Sequence, residues 1–77
     1  MAFDYRKLKG KIVEKYGSQN KFAEVMGIST RTLSLKMNNK VPWKQSEIRE
    51  AVRFLQISDS DIGDYFFKTE VQNIERK

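Results

Sequence analysis

Ala23, Gly27 and Ser29 leave the middle of this chain little choice of path. Apolar residues around them recur at three and four positions, not two: Phe22, Val25 and Met26 before the glycine, Leu33 and Met37 after it. That is the period of a helix. Two helices joined so tightly need a residue tolerant of positive φ at the bend, and glycine carries no Cβ penalty there. They also need a small side chain where they cross, which Ala23 supplies. Ser29 can accept an orphan amide at the start of the second helix. Residues 19–38 are therefore predicted to be two helices meeting at a bend, with Phe22, Met26, Ile28, Leu33 and Met37 closing the interior.

The same period runs through Leu8, Ile12 and Tyr16, and through Ile48, Val52 and Leu55. Helix starts follow from pairs of apolar residues spaced to pack across a capping residue. Phe3 and Leu8 bracket Asp4, Ile28 and Leu33 bracket Ser29, and Ile57 and Ile62 bracket Ser58. Ser18 is a further good cap. Trp43 and Ile48 have the same spacing, but Lys44 stands in the cap slot and cannot accept a hydrogen bond. Helices are expected over about 5–16, 19–26, 30–38, 45–55 and 59–66. The polar residues 68–77 follow as a tail, a short strand or part of a partner interface.

Seventy-seven residues, 39% of them hydrophobic, support one small core and one domain. The absence of Cys and His removes disulfides, thiolate sites and the common zinc and haem sites. No cofactor or metal is expected. The carboxylates are scattered and no nucleophile has a positioned base, so an enzyme is not expected. No apolar run is long enough to span a membrane, and Met1-Ala2-Phe3-Asp4-Tyr5 contains no signal-peptide core, so a cytoplasmic location is expected. The formal charge of +5 is one-sided: residues 1–46 hold ten basic and three acidic residues, whereas residues 47–77 hold five basic and seven acidic ones. Such a field attracts polyanions, or simply keeps a surface solvated.

The run Gln19-Asn-Lys-Phe-Ala-Glu-Val-Met-Gly27-Ile-Ser-Thr-Arg-Thr-Leu33 resembles the helix-turn-helix of phage Cro- and repressor-type DNA-binding domains, in the broad lambda-repressor-like superfamily. It has a polar first residue, Ala fifth, Gly ninth and an aliphatic residue fifteenth. The likeness continues through Asn38-Asn39-Lys40 to Leu55-Gln56-Ile57 and covers roughly residues 3–67. Thr32-Leu-Ser-Leu-Lys-Met-Asn-Asn-Lys40 and Tyr65-Phe-Phe67 are also similar to small regulators from prophages of Gram-positive bacteria. The resemblance implies an all-α fold, a compact orthogonal bundle of five short helices with a short C-terminal tail. Residues 1–67 would be a DNA-binding domain with its helix-turn-helix at about 19–38, and 68–77 a tail able to join a dimer interface. The implied function is sequence-specific binding of double-stranded DNA by a phage or prophage repressor of the Cro type, its third helix in the operator major groove.

Winding the third helix at about 100° per residue sends Leu33 and Met37 inward and Arg31, Ser34, Leu35 and Asn38 outward. Candidate base contacts are Ser29, Thr30, Arg31, Ser34 and Leu35. Arg31 can grip guanine or simply be solvated; Leu35 can pack on a thymine methyl or be a lone surface leucine. Candidate phosphate contacts are Ser18, Gln19, Lys36, Asn38, Asn39, Lys40 and Lys44. Lys36 lies at the margin of the buried face, where its stem can rest on the core while its ammonium reaches a phosphate. Trp43 is expected to brace the fourth helix, or to turn its indole N–H to a phosphate.

One recognition helix reads few base pairs, so a homodimer on a palindromic operator is expected. Of the consecutive aromatics Tyr65, Phe66 and Phe67, one helix face cannot bury all three, and at least one is expected to be available to a second subunit. A second function fits the same fold: a protein-interaction module acting as antirepressor, corepressor or antitoxin, with a second phage repressor protein as partner. Its surface would use the acidic C-terminal part, Asp59, Asp61, Asp64 and Glu70.

Overall fold

A computed structural model describes residues 2–69. Five α-helices follow in order: α1 Arg6–Tyr16, α2 Gln19–Met26, α3 Thr30–Met37, α4 Gln45–Leu55 and α5 Ile62–Phe66, the last led in by a 3-10 turn at Asp59–Asp61. The fold is all-α and compact, with a Cα radius of gyration of 12.8 Å.

The bend at Gly27 has the geometry its sequence requires. Gly27 sits in the left-handed region at φ 77°, and its amide returns to the carbonyls of Ala23 and Glu24. The Ile28 amide closes the turn on the Ala23 carbonyl at 3.0 Å. Ala23 is 1% exposed, so a methyl group is all that fits between α2 and its neighbours. Ser18 accepts from the Lys21 amide and Ser29 from the Thr32 amide, capping α2 and α3.

Two other helix starts differ from expectation. Asp4 lies one residue before the cap position of α1, and its Oδ1 accepts the Arg6 amide. Ser58 caps no backbone amide; its hydroxyl donates to Asp61 Oδ2, and the fifth helix opens as a 3-10 turn. At α4 the acceptor that Lys44 lacks comes from three residues on: Glu47 Oε1 takes the Lys44 amide at 2.8 Å.

The core lies where α1, α2, α3, α4 and α5 converge. Leu8, Ile12, Phe22, Leu33, Leu55 and Phe66 are fully enclosed. Phe3, Ile28, Met37, Trp43 and Ile48 pack against it from the margin. The expected tail begins inside the fold: Thr69 forms an isolated antiparallel bridge with Phe3, and the Asp4 amide bonds the Lys68 carbonyl. Glu70 and the rest of the tail lie outside the described residues.

Candidate interaction face

Seven of the expected contact residues line two depressions. Gln19, Ser34, Asn38 and Asn39 line a single cleft of ≈ 740 Å³ between the N-terminal segment, α1 and α3. Ser18, Ser29 and Thr30 line a second depression beside α2. There the Thr30 hydroxyl donates to Asn20 Oδ1, and the Ser29 hydroxyl donates to Thr32 Oγ1 at 2.9 Å. Arg31 is exposed at the start of α3, Leu35 is half-buried farther along, and Lys40 and Lys44 are exposed on the loop to α4.

Lys36 does not reach a phosphate. It is 3% exposed, and its ammonium lies 2.8 Å from Glu47 Oε1 and 3.2 Å from the Pro42 carbonyl. The winding put it at the margin of the buried face; the carboxylate on α4 draws it fully inside. Desolvation pushes the Glu47 carboxyl up. The Lys36 hydrogen bond, the Lys44 amide and the two ammonium charges outweigh it, leaving that carboxyl below its ordinary range. The lone signal for this ion pair was a glutamate at the third helical position after an apolar cap pair.

The two asparagines after α3 are also partly committed. Asn39 adopts φ 62°, a conformation that asparagine tolerates better than most residues. Its side-chain oxygen accepts from the Phe3 amide and its side-chain nitrogen donates to the Phe3 carbonyl, each at 2.9 Å. It therefore behaves as a strand partner for the N-terminal segment, with one of its two amide hydrogens committed there. Asn38 Nδ2 donates back to the Ser34 carbonyl at 2.9 Å and to the Ser34 hydroxyl at 3.3 Å, which leaves its side-chain oxygen for a partner. Trp43 is wedged edge-on between Tyr5 and Phe66. Its indole nitrogen is buried with no acceptor among the described residues.

Residues that sequence reasoning missed complete the cleft. Phe3, Asp4, Tyr5, Arg6 and Lys9 form its α1 side. Asp4 accepts from Arg6 through both carboxylate oxygens, at 2.9–3.1 Å, and that side-chain pairing, aided by the Arg6 backbone amide, holds its carboxyl at about 2. On the far end, Tyr65 and Phe66 are buried while Phe67 is 53% exposed, its ring edge against Phe3. Among the described residues no acidic, His or Cys cluster could hold a metal, and no helix is long and apolar enough to cross a membrane.

A five-helix domain with a polar cleft, a capped bend and a buried cross-helix ion pair is the class of protein in hand, and its sequence places it in a defined family. The chain belongs to the family described as "Protein of unknown function (DUF739)", which matches residues 1–69. Among solved structures it is similar to the modulator of repression (MOR) of the temperate bacteriophage TP901-1 from Lactococcus lactis. The identity is 51%, the TM-score is 0.77, and the match covers 94% of this chain and 97% of that one. No curated protein matches. Neither match carries a helix-turn-helix or Cro-type description.

Proposed function

We propose that this chain is a modulator of repression, a small phage or prophage regulator that acts by binding a repressor protein in the host cytoplasm. It performs no catalysis. The observation that carries the reading is 51% identity over nearly the whole chain to a phage protein of that title. The residues favour contact with protein over a DNA clamp. Affinity for DNA rests on cations neutralising phosphates. Here Lys36 is spent on Glu47, the Asn38 amide nitrogen is spent on Ser34, and the Asn39 side chain is tied to Phe3. Exposed Phe67, by contrast, is the kind of side chain that anchors protein interfaces, and exposed Asp59 and Asp61 would suit a basic partner.

A second reading, direct operator binding as a Cro-type homodimer, is favoured by the exposure of Arg31 and Thr30 at the start of α3. One experiment separates the two. The chain is titrated against the repressor of the same phage by calorimetry, and against the operator alone by gel shift. A repressor complex with no sequence-specific shift of the operator by the chain alone supports the first reading. A specific shift without a repressor complex replaces it with the second.

A further inference from the structure

We infer that the cleft between the N-terminal segment, α1 and α3 seats an extended segment of the partner protein, one that carries a carboxylate beside an apolar side chain. This rests on the protein-contact reading above and names its surface. The cleft, ≈ 740 Å³, has two kinds of lining. Half-buried Phe3 and Met37 give it an apolar floor. Lys9, Gln19, Ser34 and Asn38 give it a polar rim.

The charge of the rim is positive. Asp4 is the one acid in the lining, and Arg6 neutralises it at 2.9 Å. Lys9 is exposed and its ammonium has no ion pair or hydrogen bond among the described residues, so it is the cation left to meet an incoming carboxylate. The half-buried Gln19 carboxamide is likewise unpaired among those residues, and it can donate to and accept from a peptide backbone. Asn38, its nitrogen turned back to Ser34, offers its oxygen to a peptide N–H.

This mixture discriminates among occupants. A nucleic-acid backbone presents a row of anions and gains nothing from an apolar floor, while here one cation without an acidic partner shares the lining with two apolar side chains. A small molecule needs enclosure, and the exposed rim at Lys9 and Asn38 does not enclose. A peptide segment uses the cation, the floor and the amides together.

The test measures binding of the full chain to the repressor of the same phage, and to random duplex DNA, for Lys9→Glu, Gln19→Ala and Lys15→Glu. Lys15 is on the same helix but outside the cleft, bonded to Gln56. Lys9→Glu is expected to weaken the repressor complex about tenfold or more, Gln19→Ala by a smaller factor, and Lys15→Glu hardly at all. Circular dichroism establishes that each variant is folded, and Gln19→Ala alone decides the matter should Lys9→Glu not fold. Equal weakening by both charge reversals would mean a general field and overturn the inference, as would a loss confined to duplex DNA. Repressor binding untouched by Lys9→Glu and Gln19→Ala would overturn the cleft and leave the protein-contact reading standing. If the unaltered chain binds no repressor, both fall.

Discussion

The two ends of α3 carry side chains of the same kind and put them to opposite uses. At the C-terminal end Lys36, Asn38 and Asn39 bond within the chain: the buried lysine to Glu47, and the exposed Asn38 and Asn39 to the helix and to Phe3. At the N-terminal end Thr30 and Arg31 stand exposed, with Ser29 capping the helix between them and the bend. Polarity does not separate the two ends. What separates them is the neighbour each meets. The C-terminal end runs into α4 and the N-terminal segment, and at buried Lys36 desolvation makes an unpaired charge costly. The N-terminal end meets only the depression beside α2. A lysine one residue from the helix end is thus a structural residue here because a carboxylate on another helix waits for it.

The contrast breaks first at the ion pair. Lys36→Ala would leave the Glu47 carboxylate, largely shielded from solvent, without its partner, and is expected to cost roughly 2–4 kcal/mol in urea unfolding. The double change Lys36→Met with Glu47→Gln removes both charges, keeps the volume, and is expected to recover most of that loss. If the single change costs less than about 0.5 kcal/mol, the C-terminal end is not locked in the way described. The pH dependence carries the same information. Because the folded Glu47 carboxyl lies below its ordinary value of 4.5, its contribution is fully present above that value and is lost as pH falls through the lowered one. The stability gap between the parent chain and Glu47→Gln should therefore narrow as solutions are acidified below about pH 4.5.

A middle-sized effect is expected at Asn39. Replacing it with Ala removes two hydrogen bonds to Phe3 and places a less tolerant residue at φ 62°, for a loss of about 2 kcal/mol. Asn39→Gly keeps the backbone conformation and should lose only about half as much. Amide exchange at Phe3, whose N–H donates to Asn39, should accelerate in both variants. Gly27→Ala belongs next, at about 1 kcal/mol. No atom lies within 4 Å of where its Cβ would sit, so the cost comes from φ 77° alone, and thermal unfolding reads it directly.

These sites also mark how far the sequence could be read. The bend was legible because Ala23, Gly27 and Ser29 act over a few residues, and local geometry follows from local residues. The bounds of α2 followed from its cap and period, and those of α4 from its apolar spacing, for the same reason. The ion pair and the Asn39 clasp were not legible, because each joins positions far apart in the chain. Lys36 meets Glu47 only after α4 has folded back, and Asn39 meets Phe3 across 36 positions. The cleft was half legible: Gln19, Ser34, Asn38 and Asn39 were singled out, but Phe3 and Lys9 belong to a segment whose charges looked like a general field. Hydroxyls, amides and ammonium groups bind phosphates, peptides and one another, so residue type alone did not choose among DNA, a partner and the protein's own interior.

The smallest effect is the most telling about the exposed end. Arg31→Ala removes an exposed side chain that lines neither depression, so stability should stay within about 0.5 kcal/mol. Its binding consequences depend on what α3 touches. If the chain acts through a repressor protein, the alanine variant should lose affinity for operator and scrambled duplex alike, by a few-fold, since only a non-specific charge contact is gone. If α3 reads bases, the loss should be roughly 1–3 kcal/mol on the operator and much less on the scrambled duplex. Fluorescence anisotropy on both duplexes at two salt concentrations separates these outcomes. Equal and salt-sensitive losses leave the N-terminal end as an exposed but unspecific surface. A selective, salt-insensitive loss would make it a reading head, and the contrast between the two ends of α3 would then be one between a DNA probe and the interior that holds it in place.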